Sequence, residues 1–218
     1  MAADAGRLPA RRDELLALIE PIQVGLEAAH RAREAGLAAS RRVIRASASS
    51  IRAVHRRDFE GAARFAATAE EALREAQVAL APYPALVHAG FLHDAEKEYV
   101  EARVTAVLVD RSPMPSPAAL GVEPAAWMRG LTEAASEMRR HLLDRLRAGD
   151  LERGEELLGV MDDVYDALLG VDFPDALTGG LRRSLDALRA VLERTRGDVT
   201  TTVLQTRLRE AIEGAAGP

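Results

Sequence analysis

Apolar residues along the chain recur at spacings of three and four, and nowhere alternate with polar ones in runs of β-branched residues, so the pattern reads as helices throughout. The boundaries follow from residues that cannot continue a helix or that cap one. A very long first helix runs from about Pro9 to Arg57, with Pro21 and Gly36 as its weak points. Asp58 can cap a second that continues to Leu80, where Pro82-Tyr83-Pro84 stops it. A third is predicted from about Ala85 to Asp110, followed by a rigid connection through Pro113, Pro115 and Pro117. A fourth spans about Pro124 to Ala148 and halts at Gly149, and Asp150 caps a fifth to about Leu169. A last long helix fills about Gly180 to Ile212. The expectation is an all-α bundle forming one domain over residues 1–218, with 1–8 and 213–218 as flexible ends.

Composition agrees with helices. Alanine, leucine, glutamate and arginine dominate and aromatics are only 4%, a mixture that loses little rotamer freedom on entering a helix. There is no cysteine, which rules out disulfides and thiolate metal sites and suits a reducing compartment, so a cytoplasmic location is expected. The longest apolar stretch, Val78 to Leu92, is broken by Pro82 and Pro84 and is not expected to span a membrane.

The net charge of −5 hides a local excess of the opposite sign. Between Arg31 and Arg57 lie eight arginines against one acid, Glu34. Arg41, Arg45, Arg52 and Arg56 fall within an arc of roughly 60° at ~100° per residue. Val43, Ile44, Ile51 and Val54 gather on the other side, and Arg42, Arg57 and His55 widen the basic region. Guanidinium forks match phosphate oxygens, so this stripe is a candidate polyanion surface; a solvated, ion-paired helix face is the alternative.

Acids cluster on two later helices. Glu98 and Glu101 are i,i+3 neighbours, with Asp94 a turn earlier and Glu96 on the opposite side. Glu133 and Glu137 are i,i+4, preceded on their side by Gly130, which leaves room for another backbone or a substrate. Two helices offering two glutamates each can enclose Mg²⁺ or Mn²⁺, because hard cations take oxygen ligands. Surface salt bridges are the plainer alternative for any one pair. A di-iron bundle would need two Glu-x-x-His motifs, and only Glu27 and His30 provide that spacing, on a different helix. The histidines show no nucleophile and base pattern, and Trp127 shares an arc with Leu131, Met138 and Leu142, so it reads as core.

Several of these segments carry a resemblance. His88-Ala89-Gly90-Phe91-Leu92-His93-Asp94-Ala95 with Glu98-Tyr99-Val100-Glu101-Ala102 resembles the acid-bearing helix of the TRAX branch of the translin family. Trp127-Met128-Arg129-Gly130-Leu131, running through Glu133 and Glu137 to Arg140, is similar to the family's next signature. So are Ser50 to Arg56 on the first helix, Met161 to Asp166, and Leu181-Arg182-Arg183 with Asp186 and Arg189. The resemblance covers nearly the whole chain. It implies a fold of about seven helices, including a short one near Ala118, and an octameric shell enclosing single-stranded RNA or DNA. For TRAX-type subunits it implies Mg²⁺-dependent endoribonuclease activity, with Glu98, Glu101, Glu133 and Glu137 as metal-binding and catalytic residues. Glu133 stands where animal TRAX proteins carry aspartate. Translin itself, which lacks such glutamates, implies the alternative of a non-catalytic binding oligomer. Assembly would draw on apolar surface from Leu15, Leu16 and Ile19 on the first helix and Leu185, Leu188, Val191 and Leu192 on the last.

Overall fold

The computed structural model describes residues 11–215 and contains, among them, nine helices and no strand. Six are long: α1 (Arg11–His55), α2 (Phe59–Leu80), α4 (Phe91–Asp110), α6 (Pro124–Arg147), α7 (Leu151–Leu169) and α9 (Leu181–Ala215). Three are single turns in the connections: α3 (Pro84–Val87), α5 (Pro117–Leu120) and α8 (Asp175–Thr178). The short helix expected near Ala118 is α5. The flexible start expected at 1–8 lies outside the described residues, as do 216–218, while 213–215 belong to α9.

Local chemistry sets most boundaries. The Asp58 carboxylate accepts from Gly61 N at 2.8 Å and starts α2, and Asp150 accepts from Arg153 N at 3.2 Å and starts α7. α1 continues unbroken through Pro21 and Gly36. The predicted third helix is instead two. The chain leaves α3 after Val87 and passes through Gly90 at φ 98°, a left-handed conformation that ends one helix and lets α4 start at Phe91. Gly90 breaks the helix expected over Ala85 to Asp110, and Val87 lies outside the helix that carries the acids.

The second half of α1 packs between α2 and α4; α4 lies on α6; and α6 in turn supports α7 and α9. One apolar cluster runs through all the long helices, with Val43, Leu73, Leu80, Tyr99, Val100, Met138, Leu157 and Leu188 among its most enclosed members. Trp127 packs against this cluster and donates its indole N–H to Pro115 O at 3.0 Å. On α1 the buried face is Ala39, Ser40, Val43, Ala46, Ser47, Ser50, Ile51, Ala53 and Val54, mostly small residues that allow close helix approach. Ile44 is not on it; at 300° from Arg41 it flanks the basic stripe and is exposed.

On α9 the apolar surface lies elsewhere than the sequence suggests. Leu185, Leu188 and Leu192 lie in the core and Val191 packs against it, because α9 closes over α6 and α7. The main runs of uncovered apolar residues are Leu15, Leu16, Leu18, Ile19, Ile22, Val24 and Leu26 on α1, where residues 11–27 are exposed throughout, and Leu204, Leu208 and Ile212 near the end of α9.

Candidate metal centre and nucleic-acid interface

α4 and α6 meet at unusually short range. A Cβ on Gly130 would lie 2.6 Å from Val100 Cβ and 2.7 Å from Lys97 O, so only glycine permits this approach. The space foreseen beside Gly130 is thus filled by the backbone of α4. The contact sets Glu133 of α6 opposite Glu98 and Glu101 of α4. Ligand oxygens of these three carboxylates lie within 4.8 Å of one another, the one group of acids or histidines with metal-ligating geometry among the described residues. Glu27 and His30, the partial di-iron motif, take no part in it.

Such crowding has an electrostatic signature. Burial, and then the charges of Glu133, Glu98 and Glu137, push the Glu101 carboxyl up to about 8. One cation already relieves part of the repulsion: Lys97 Nζ lies 2.6 Å from Glu133 Oε2 and 3.0 Å from Glu98 Oε1. Burial alone would depress this ammonium's pKa, but the bonds to Glu133 and Glu98 outweigh it and hold it above the ordinary lysine value.

The fourth glutamate is placed differently. Glu137 borders the cluster closely enough to raise Glu101, yet its carboxylate bonds to His55 Nε2 at 2.8 Å. That bond is the main reason its pKa falls below the usual range. His55 closes α1, and its side chain is 3% exposed with Nδ1 buried and unbonded. Asp94, one turn before Glu98, faces Arg129 at 3.9 Å. Glu96, on the other side of α4, is buried at 3% exposure, where it accepts from Gln77 Nε2 at 2.9 Å and from Glu123 N at 3.3 Å. Burial raises its pKa. Asp162 is an ion-pair residue, bonded by Arg196 at 2.8 Å.

The basic stripe is a real surface feature. Arg41, Arg45, Arg52 and Arg56 are all exposed, and no ion pair among the described residues engages them; Arg52 donates only to Ser49 Oγ, at 2.9 Å. Arg42, by contrast, is paired with Glu75 of α2. Arg52 and Arg56 lie within one helical turn of His55, so the stripe ends next to the residue that bonds Glu137.

Two further residues belong to the site: Lys97, to which the sequence assigned no role, and His55, which it named only as widening the basic region. Lys97 did lie four residues before Glu101, a helical neighbour by spacing. For the contact of His55 with Glu137, 82 positions away, no local signal exists.

The chain is 32% identical to AfC3PO and superposes on its crystal structure with a TM-score of 0.78, covering 86% of this chain and 97% of that one. Against AfC3PO in its complex with duplex RNA the values are 31% and 0.76, with the same coverage. This chain belongs to the translin family. Apo-NeC3PO, at 20% identity, shares the translin fold with a TM-score of 0.72 over 90% of this chain and all of that one. An uncharacterized protein of Methanocaldococcus jannaschii is 28% identical over 182 residues, covering 83% of this chain and 81% of its own length. No family model matches the chain. Within the translin fold, the acid cluster and the end of the basic stripe thus fall at the junction of α1, α4 and α6. No helix among the described residues is long and apolar enough to cross a membrane.

Proposed function

We propose that this protein is a TRAX-like, metal-dependent endoribonuclease that cuts single-stranded RNA within a homo-oligomeric shell. The observation that carries the reading is the meeting of three glutamates from two helices within 4.8 Å. The donor set fits a hard divalent ion: every oxygen is a carboxylate, and the mutual repulsion that lifts Glu101 marks a place where positive charge is needed. Glu98, Glu101 and Glu133 would hold Mg²⁺ or Mn²⁺. Such an ion supplies an activated water and charge stabilisation at the leaving oxygen of a phosphodiester. Glu137, bonded to His55 and kept ionised, would accept a hydrogen bond from that water. Arg41, Arg45, Arg52 and Arg56 would follow the RNA backbone toward this point, with Arg42 contributing once released from Glu75.

The exposed apolar residues of α1 and α9 support assembly, because a monomer would leave them in water. An octamer, as in the family resemblance, is the expected state, and the cysteine-free chain fits a cytoplasmic location. RNA as the ligand is supported by AfC3PO, whose complex contains duplex RNA. The same complex and the unpaired stripe also favour a second reading, a binding oligomer without catalysis that takes RNA or single-stranded DNA. One experiment separates the two: incubation of the pure protein with labelled single-stranded and duplex RNA, in Mg²⁺ and then in EDTA. Cleavage products in Mg²⁺ that vanish in EDTA are expected. Binding with no cleavage at any Mg²⁺ or Mn²⁺ concentration would leave the binding module.

A further inference from the structure

The acid cluster contains a cation of its own. Lys97 projects from α4 one residue before Glu98, and its ammonium sits between Glu133 at 2.6 Å and Glu98 at 3.0 Å. Its side chain is 12% exposed, so this is an enclosed contact between helices and not a surface pair. The two oxygens it holds belong to two of the three carboxylates that make up the metal-ligating group. A divalent ion would need those same carboxylates, and an ammonium at bonding distance competes with it for their negative charge. Two cations so placed would repel strongly in a partly desolvated site, and an oxygen engaged by the lysine is less available to the ion.

We propose that Lys97 is the resident cation of this site and that a divalent ion binds only by exchange with its ammonium. The inference rests on the reading of the cluster as a metal centre. Lys97 therefore sets the concentration at which the site loads. It weakens binding of any divalent ion while tying α4 to α6 in the unloaded protein. The exchange needs no backbone movement, because a four-carbon stem can withdraw by rotamer change alone.

The test uses the full-length protein and Mn²⁺ alone, with affinity measured by calorimetry and thermal unfolding followed with and without the ion. Lys97→Met should bind Mn²⁺ about tenfold more tightly or better, since the competing charge has gone. Without metal it should melt below wild type, and saturating Mn²⁺ should raise its melting temperature by more than it raises the wild type's. Lys97→Arg, which keeps the charge, should bind Mn²⁺ no more tightly than wild type. If Lys97→Met does not fold, Lys97→Gln retains a donor for Glu133 without the charge and carries the same expectation. Equal or weaker Mn²⁺ binding by the neutral variants, with wild-type binding abolished by Glu101→Gln, overturns the exchange and leaves the metal centre standing. No Mn²⁺ binding by wild type or by the neutral variants sinks both. Tighter Mn²⁺ binding by the neutral variants, in a protein that cleaves no RNA, supports the exchange and removes only the nuclease reading.

Discussion

Glu101 is the residue on which charge, burial and proposed chemistry converge. Its carboxyl is raised to about 8, so in the metal-free protein it is largely protonated at neutral pH. The folded state thus binds a proton that the unfolded chain releases near the ordinary glutamate value of 4.5. Stability is fully present below that value and declines as pH rises through about 8. In EDTA, wild type is expected to lose melting temperature between these limits, while Glu101→Gln, already neutral, loses less; parallel curves would contradict the assignment. A divalent ion must displace the same proton, so Mn²⁺ affinity should climb with pH over this window. For cutting, Glu101→Gln or Glu133→Gln is expected to lower the single-turnover rate by about 10³ or more, roughly 4 kcal/mol, with little loss of RNA affinity. Glu96 shows why a position on the opposite side of the helix is not a neutral control. Glu96→Gln turns an amide N–H toward one of its two donors, Gln77 Nε2 or Glu123 N, in a buried setting, which should cost about 1–3 kcal/mol in denaturant unfolding.

At the scale of elements, the decisive contact is that between α4 and α6. Gly130→Ala places a methyl 2.7 Å from a backbone carbonyl, which cannot move without moving α4. The helices should separate slightly, at a cost of about 1–3 kcal/mol, and Mn²⁺ should bind more weakly because Glu133 recedes from Glu98 and Glu101. Unchanged stability and Mn²⁺ affinity would show that the close approach has no bearing on the site. The stripe on α1 makes a different kind of prediction. Arg45→Ala with Arg56→Ala should weaken RNA binding for all sequences alike and reduce the log–log salt slope by roughly 0.7 for each lost phosphate contact. Filter binding across a salt series measures this directly; an intact slope would assign these arginines to intersubunit ion pairs.

For the molecule as a whole, the outer half of α1 presents the clearest question. Leu15, Ile19, Ile22 and Leu26 recur at spacings of four, three and four and are all exposed, a seam suited to another helix. Ile22→Asp with Leu26→Asp is expected to lower the mass seen by light scattering to that of a smaller species while leaving the helix content near wild type. An unaltered mass would place the interface elsewhere, with the end of α9 next in line through Leu204, Leu208 and Ile212.

The sequence by itself determined the helices and most of their ends, because caps such as Asp58 and Asp150 and stops such as Pro82 and Gly149 act within a few residues. It also determined that Glu98 and Glu101 share a face and that four arginines line one side of α1, since helical periodicity alone decides this. The split at Gly90 was legible in principle, as glycine is the residue suited to that backbone angle. Which acids meet was not. Glu133 joins Glu98 and Glu101 only because Gly130 lets α6 settle against α4, and Glu137 turns to His55 only because α1 ends beside α6. Lys97 came into the cluster by the same packing, and the leucines of α9 left the surface because α6 and α7 lie beneath them. Periodicity fixes directions around one helix axis, whereas contacts between helices depend on how closely and in what register the axes pack. Only the tertiary structure contains that information.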